Sequence, residues 1–117
     1  MRLNEIGFED ARPVDGYGPG FFRIGGKVVE GAVLLSAKGV SSWDGLEDVA
    51  SLLALADEVD VLLIGMGAEL TPLPSEIRQV LEAAGLAPEP MGSPAAARTY
   101  NVLLAEGRLV AVALLPV

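Results

Sequence analysis

Apolar residues in the first third of the chain come in short runs broken by glycine; beyond residue 44 they settle into helical and strand-like periods. Residues 1–43 therefore read as strands and turns. Phe21-Phe22-Arg23-Ile24 and residues 27–35 flank Gly25-Gly26. Two β-rich runs around a two-residue glycine turn predict a hairpin. Gly16, Gly18, Pro19 and Gly20 punctuate its entry, and residues 40–43 read as a further short strand.

The second half alternates. Leu46, Val49, Ala50, Leu53 and Ala56 form a helical stripe, with Asp44 and Glu47 as a capping pair at its start. Residues 59–64 are an apolar run broken only by Asp60, which predicts a buried strand ended by Gly65-Met66-Gly67. Residues 74–84 predict a helix with Pro74 near its first turn and Gly85 past its end. Residues 86–91 give a strand weakened by Pro88 and Pro90. Ser93 reads as the cap of a third helix, with Pro94 in its first position and Gly107 ending it. Residues 108–115 complete the order as a last strand. Because residues 109–117 lack strict alternation, that strand is expected to be buried on both faces, with Pro116 marking its end. Strand, helix, strand, helix, strand calls for a sheet with at least one parallel pair and helices on its faces. No repeat or linker interrupts it, so residues 1–117 read as a single α/β domain.

Composition removes several kinds of chemistry. The chain has 117 residues, no Cys and no His, which leaves no disulfide, no thiolate metal site and no Ser-His-Asp triad. Metal, cofactor and catalytic residues are accordingly expected to be absent, and an enzyme is the less favoured reading. The net charge is −8, and the eight basic residues are scattered. Nucleic acid and anionic membrane surfaces are poor partners for such a chain. The start, Met1-Arg2-Leu3-Asn4-Glu5, carries no apolar signal segment, and the longest apolar run is too short for the roughly 20 residues of a membrane span. A soluble, cytoplasmic protein is expected. Apolar residues make up 51% of the chain, with only 5% aromatic, and the mean hydropathy is +0.47. That surplus predicts an exposed apolar patch, on the hairpin region 21–35 or on a helix face. The patch would bind a protein partner or make a homo-oligomer.

Two clusters are the candidate chemistry. Gly65-Met66-Gly67 follows a buried strand at the carboxyl end, where open α/β sheets bind ligands. A dinucleotide fingerprint would place a third glycine where Leu70 stands, and the plainer reading is a turn. Arg98-Thr99-Tyr100-Asn101 is the polar cluster of an otherwise apolar helix, with Arg98 and Asn101 on one face. An arginine there needs an internal carboxylate or a bound anion. Gly65, Met66, Gly67, Arg98, Tyr100 and Asn101 are therefore the candidate anion-binding residues, and Arg98 is expected near the glycine loop. Gly16-Tyr17-Gly18-Pro19-Gly20 leads into a strand, so it offers no helix N-terminus to a phosphate. Asp57, Glu58 and Asp60 lack the spacing of a calcium loop and read as a solvated turn.

These residues also carry a resemblance. Gly16-Tyr17-Gly18 before Gly20-Phe21, the stretch GAVLLSAKGVSSW at 31–43, Leu62-Leu63-Ile64-Gly65-Met66-Gly67, Leu73-Pro74-Ser75-Glu76 and Ala96-Ala97-Arg98-Thr99-Tyr100-Asn101 are its pieces. The chain resembles a small α/β family, mostly of unknown function, that includes the mitochondrial respiratory complex I assembly factor three. The resemblance covers nearly the whole chain. It implies a compact three-layer α/β fold around a mixed sheet, beside the N-terminal β-hairpin region and about three helices read from the residues. It implies a protein-binding or assembly role and brings no catalytic residues. Many relatives carry a basic residue near Thr71 and this chain does not, which weakens an anion site there. The missing targeting segment points to a bacterial-type member.

Overall fold

The computed structural model describes residues 12–117. The Met1-Arg2-Leu3-Asn4-Glu5 start, on which the targeting expectation rests, lies outside them. In chain order the elements are β1 (Val14–Gly18), β2 (Phe21–Ile24), β3 (Lys27–Glu30), β4 (Val33–Ser36), β5 (Gly39–Ser42), α1 (Val49–Leu53), β6 (Val61–Gly65), α2 (Ser75–Ala83), β7 (Pro88–Met91), α3 (Ser93–Ala105) and β8 (Val110–Leu114). They make an antiparallel sheet of order β1-β2-β3 and a mixed five-stranded sheet of order β5-β4-β8-β6-β7. β6 runs parallel to both β7 and β8, while β4 runs antiparallel to β5 and β8.

The five-stranded sheet is the middle of three layers. One face presents Val33, Leu35, Leu63, Val110, Val112 and Leu114 to Ala96, Ala97 and Tyr100 of α3 and to Phe22 and Ile24 of the small sheet. The other presents Leu34, Leu62, Ile64, Ala111 and Ala113 to Leu52 of α1, Leu81 of α2, and the loop residues Trp43 and Leu73. Every residue of β8 is buried. A strand flanked by two strands and covered on both faces must be apolar at every position, which explains why its sequence does not alternate.

Several boundaries differ from the sequence reading. The glycine-glycine turn is present, with φ +56 at Gly25 and +85 at Gly26. The second hairpin run stops at Glu30 rather than reaching Leu35. Gly31, at φ +83, turns the chain into the other sheet, where β4 begins. Gly16 and Gly18 lie within β1 rather than in a turn. A Cβ on Gly18 would fall 2.5 Å from the Phe21 ring, and the turn proper uses Pro19 and Gly20. The short strand at 40–43 begins one residue earlier, at Gly39. The helix expected over 46–56 shrinks to five residues, capped by Asp48 instead of Asp44. Gly45 at φ +89 bars an earlier start, and Leu46, Leu55 and Ala56 reach the core from turns rather than from a helix. The strand at 59–64 shifts to 61–65, and the one at 86–91 begins only at Pro88. Gly92, not Ser93, caps α3.

Candidate functional site

The expected ligand position exists in the topology. β6 leads through α2 to β7, and β7 leads through α3 back past β6 to β8. α2 and α3 lie on opposite faces. The connections that leave the adjacent parallel strands β6 and β7 therefore cross to opposite faces, and the carboxyl ends of β6 and β7 are where such sheets open a crevice. Gly65-Met66-Gly67 sits there.

The chain itself fills that crevice. Ser93 is fully buried, and its hydroxyl accepts from the Gly67 N–H (2.9 Å) while donating to the Leu115 carbonyl (2.6 Å). The Ser93 N–H donates to the Gly67 carbonyl (2.7 Å), and the Met66 N–H donates to the Met91 carbonyl (2.8 Å). Gly65 leaves no room either, since a Cβ there would sit 2.7 Å from Ser93 Oγ and 2.8 Å from Leu114 Cδ2. Gly67 has φ +104, a conformation that favours glycine. The loop's backbone groups are thus bonded to the start of α3 and the end of β8. Sequence reasoning missed this role of Ser93, because a serine before a proline reads first as a cap.

The Arg98-Thr99-Tyr100-Asn101 run diverges around its helix. Asn101 faces β1, where its Oδ1 accepts from the Val14 N–H (2.9 Å) and its Nδ2 donates to the Val14 carbonyl (2.9 Å). The carboxamide copies a strand's pairing and closes the outer edge of β1. Its signal in sequence is faint: Asn101 borders the buried stripe Ser93, Ala96, Ala97, Tyr100, and a carboxamide at such a border needs two partners. Tyr100 is fully buried, its hydroxyl finds no partner among the described residues, and burial raises its pKa to about 12. Thr99 Oγ1 lies 3.8 Å from Met91 Sδ. Arg98 is exposed and lines a groove of about 160 Å³ with Asp15, Tyr17, Pro94 and Asn101. Gly65, Met66 and Gly67 do not line that groove. Arg98 makes no ion pair among the described residues.

Two further acids have partners of their own. Glu58 pairs with Lys38 (2.8 Å), and Asp48 accepts from the Ser51 hydroxyl (2.7 Å), which holds its carboxyl below the usual range. No group of three acids among the described residues is placed to hold a metal ion. No helix among them is long and apolar enough to cross a membrane.

Comparison with known proteins adds kinship to this geometry. A family model described as a protein of unknown function (DUF498/DUF598) matches residues 14–115. The chain is 53% identical over 116 residues to an uncharacterized protein of Rhodobacter capsulatus, covering 99% of this chain and 94% of that one. It is 31% identical over 107 residues to the NADH dehydrogenase [ubiquinone] 1 alpha subcomplex assembly factor 3 of Danio rerio, covering 86% of this chain but only 62% of that protein. Among solved structures, one described as an outer membrane protein from Bartonella henselae superposes with a TM-score of 0.83 at 37% identity, covering 93% of this chain and 98% of that one. A Mth938-like domain from Bordetella pertussis gives a TM-score of 0.76 at 30% identity, covering 99% and 92%.

Proposed function

This chain belongs to the family of proteins of unknown function called DUF498/DUF598, and from that premise we propose that it is a non-enzymatic, protein-binding domain of the assembly-factor kind. The observation that carries the reading is its kinship with proteins named as assembly factors of NADH dehydrogenase. The geometry supports it. The polar groups that a ligand would use at the sheet's switch point are bonded to the chain's own backbone through Ser93. Asn101 is likewise engaged with Val14. Large apolar side chains remain exposed at Tyr17, Val28, Val40, Leu70, Val80, Val102 and Leu109. Val28 and Val40 stand on β3 and β5, and we place the contact with the partner there. Affinity capture from extract of the native cell in mild detergent tests the reading. It is expected to yield one partner protein at near-equal stoichiometry. Capture of nothing beyond background would overturn it.

A second reading keeps Gly65, Met66, Gly67, Arg98, Tyr100 and Asn101 as a site for a small anion. The absence of an ion pair at Arg98 among the described residues favours it. A groove of about 160 Å³ weighs against it, since ligand sites run to roughly 300–1,000 Å³. Titration with inorganic phosphate decides it: saturable binding lost in Arg98→Gln supports the site, and no binding ends it.

A further inference from the structure

The four strand edges of the two sheets are not alike. In β7 the Met91 carbonyl faces β6, where it accepts from Met66. Alternation then turns the backbone of Pro88 and Pro90 outward, so neither outward position has an N–H to offer. The outer edge of β1 is closed at Val14 by Asn101. Among the described residues, β3 and β5 carry no such device. The Gly31 N–H bonds the Gly20 carbonyl, which makes Phe21:Glu30 and Arg23:Val28 the non-bonded pairs and points the backbone of Val28 and Glu30 away from β2. By the same logic, the bond from Trp43 N–H to the Ala32 carbonyl points the backbone of Val40 and Ser42 away from β4. Val40, Ser41 and Ser42 are exposed. Open edges of this kind are templates for another strand.

Both open edges border one groove of about 320 Å³, whose floor is Ile24, Val29 and Val40 and whose cations are Arg12, Lys27 and Lys38. Three of the chain's eight basic residues meet there, in a molecule of net charge −8. No carboxylate lines the groove among the described residues. Of the acids around it, Asp15 accepts from the Gly26 N–H (2.6 Å) and Glu58 pairs with Lys38. A local reversal of sign around an aliphatic floor and an unpaired strand edge is complementary to one chemistry.

We propose that this groove receives an extended, acidic segment of a partner protein, paired along β5 as a sixth strand of the large sheet. The backbone of Val40 and Ser42 supplies the ladder, Ile24, Val29 and Val40 take alternate aliphatic side chains, and Arg12 and Lys27 take the carboxylates, Lys38 being already paired with Glu58. The proposal rests on the protein-binding reading and names the chemistry of its partner. A second copy of this chain is the poorer occupant, since it brings another eight negative charges overall. The probe is a synthetic peptide alternating glutamate and valine, titrated into the isotope-labelled full chain and followed by amide shifts, beside a lysine–valine peptide. The expected result is saturable binding of the acidic peptide only, with shifts centred on Val40 and Ser42. Binding is expected to weaken as salt is raised, and by about tenfold in Lys27→Glu, a surface change at the rim. Arg12→Glu is the second variant and should act in the same direction. No binding, equal binding of the lysine peptide, or shifts centred elsewhere would overturn the proposal. So would shifts at Val40 and Ser42 that grow with protein concentration alone, which would make a second copy the occupant. A failed titration beside a successful capture from extract refutes this groove and leaves the protein-binding reading standing; a failed capture refutes that reading itself.

Discussion

The Asn101 carboxamide holds Val14 by both its backbone groups, which takes a side chain that both accepts and donates. Asn101→Ala leaves two half-buried backbone groups without partners and is expected to cost about 1–3 kcal/mol. Asn101→Asp should cost no less, because a carboxylate cannot donate to the Val14 carbonyl. Urea unfolding of both variants checks this, and a stability equal to wild type would show that Asn101 is not structural. Tyr100 sits one residue away under the opposite logic. Its hydroxyl is buried and unpartnered, so Tyr100→Phe should be neutral or stabilise by about 1 kcal/mol. The sign of the pH dependence follows. With the folded pKa raised from 10.0 to about 12, the folded state holds the proton longer. The stability this brings is full below pH 10 and is lost as pH rises through 12. Denaturation of wild type and Tyr100→Phe at rising pH should show the two curves diverging only above pH 10. Gly65→Ala brings a Cβ against Ser93 and Leu114, and overpacking there is expected to cost about 1–3 kcal/mol.

Elements were legible in the sequence to the extent that their period was undisturbed. β6, α2, α3 and β8 follow from apolar runs, a helical period and their flanking Pro and Gly, because packing on one or both faces of a sheet is what sets those patterns. The stretch 46–56 misled because irregular turns can also deliver Leu46, Leu55 and Ala56 to a core at helical spacing. Gly31 was invisible as a sheet switch, since residues on either side of it are equally β-prone. The glycine loop was placed correctly at a strand end; that Ser93 would fill it depends on how α3 meets β8, which no local pattern encodes. The prolines of β7 read in sequence as weakness and prove to be edge protection. Replacing Pro88 and Pro90 by threonine restores two outward N–H groups to an edge strand. The expected outcome is concentration-dependent association in sedimentation, with secondary structure unchanged. A double variant that stays monomeric at every concentration would show that this edge is guarded by something else.

Over the whole molecule, the 51% apolar content divides between two cores, one on each face of the central sheet. A buried middle layer needs apolar residues on both sides, so part of the surplus read from composition is structural. Of the large apolar side chains left at the surface, Val28 and Val40 stand on the two strand edges left open among the described residues. With no metal-holding cluster among the described residues, chelation with EDTA should leave the melting temperature unchanged, and a fall of several degrees would contradict that. The central claim is that this domain works by binding a protein at the open strand edges rather than by holding a small anion beside Arg98. Its most direct measurement is capture of the native partner by wild type, Val40→Glu and Arg98→Gln, all three shown folded by circular dichroism. The account predicts that the partner is lost with Val40→Glu and kept with Arg98→Gln; a partner kept by Val40→Glu and lost with Arg98→Gln would contradict it.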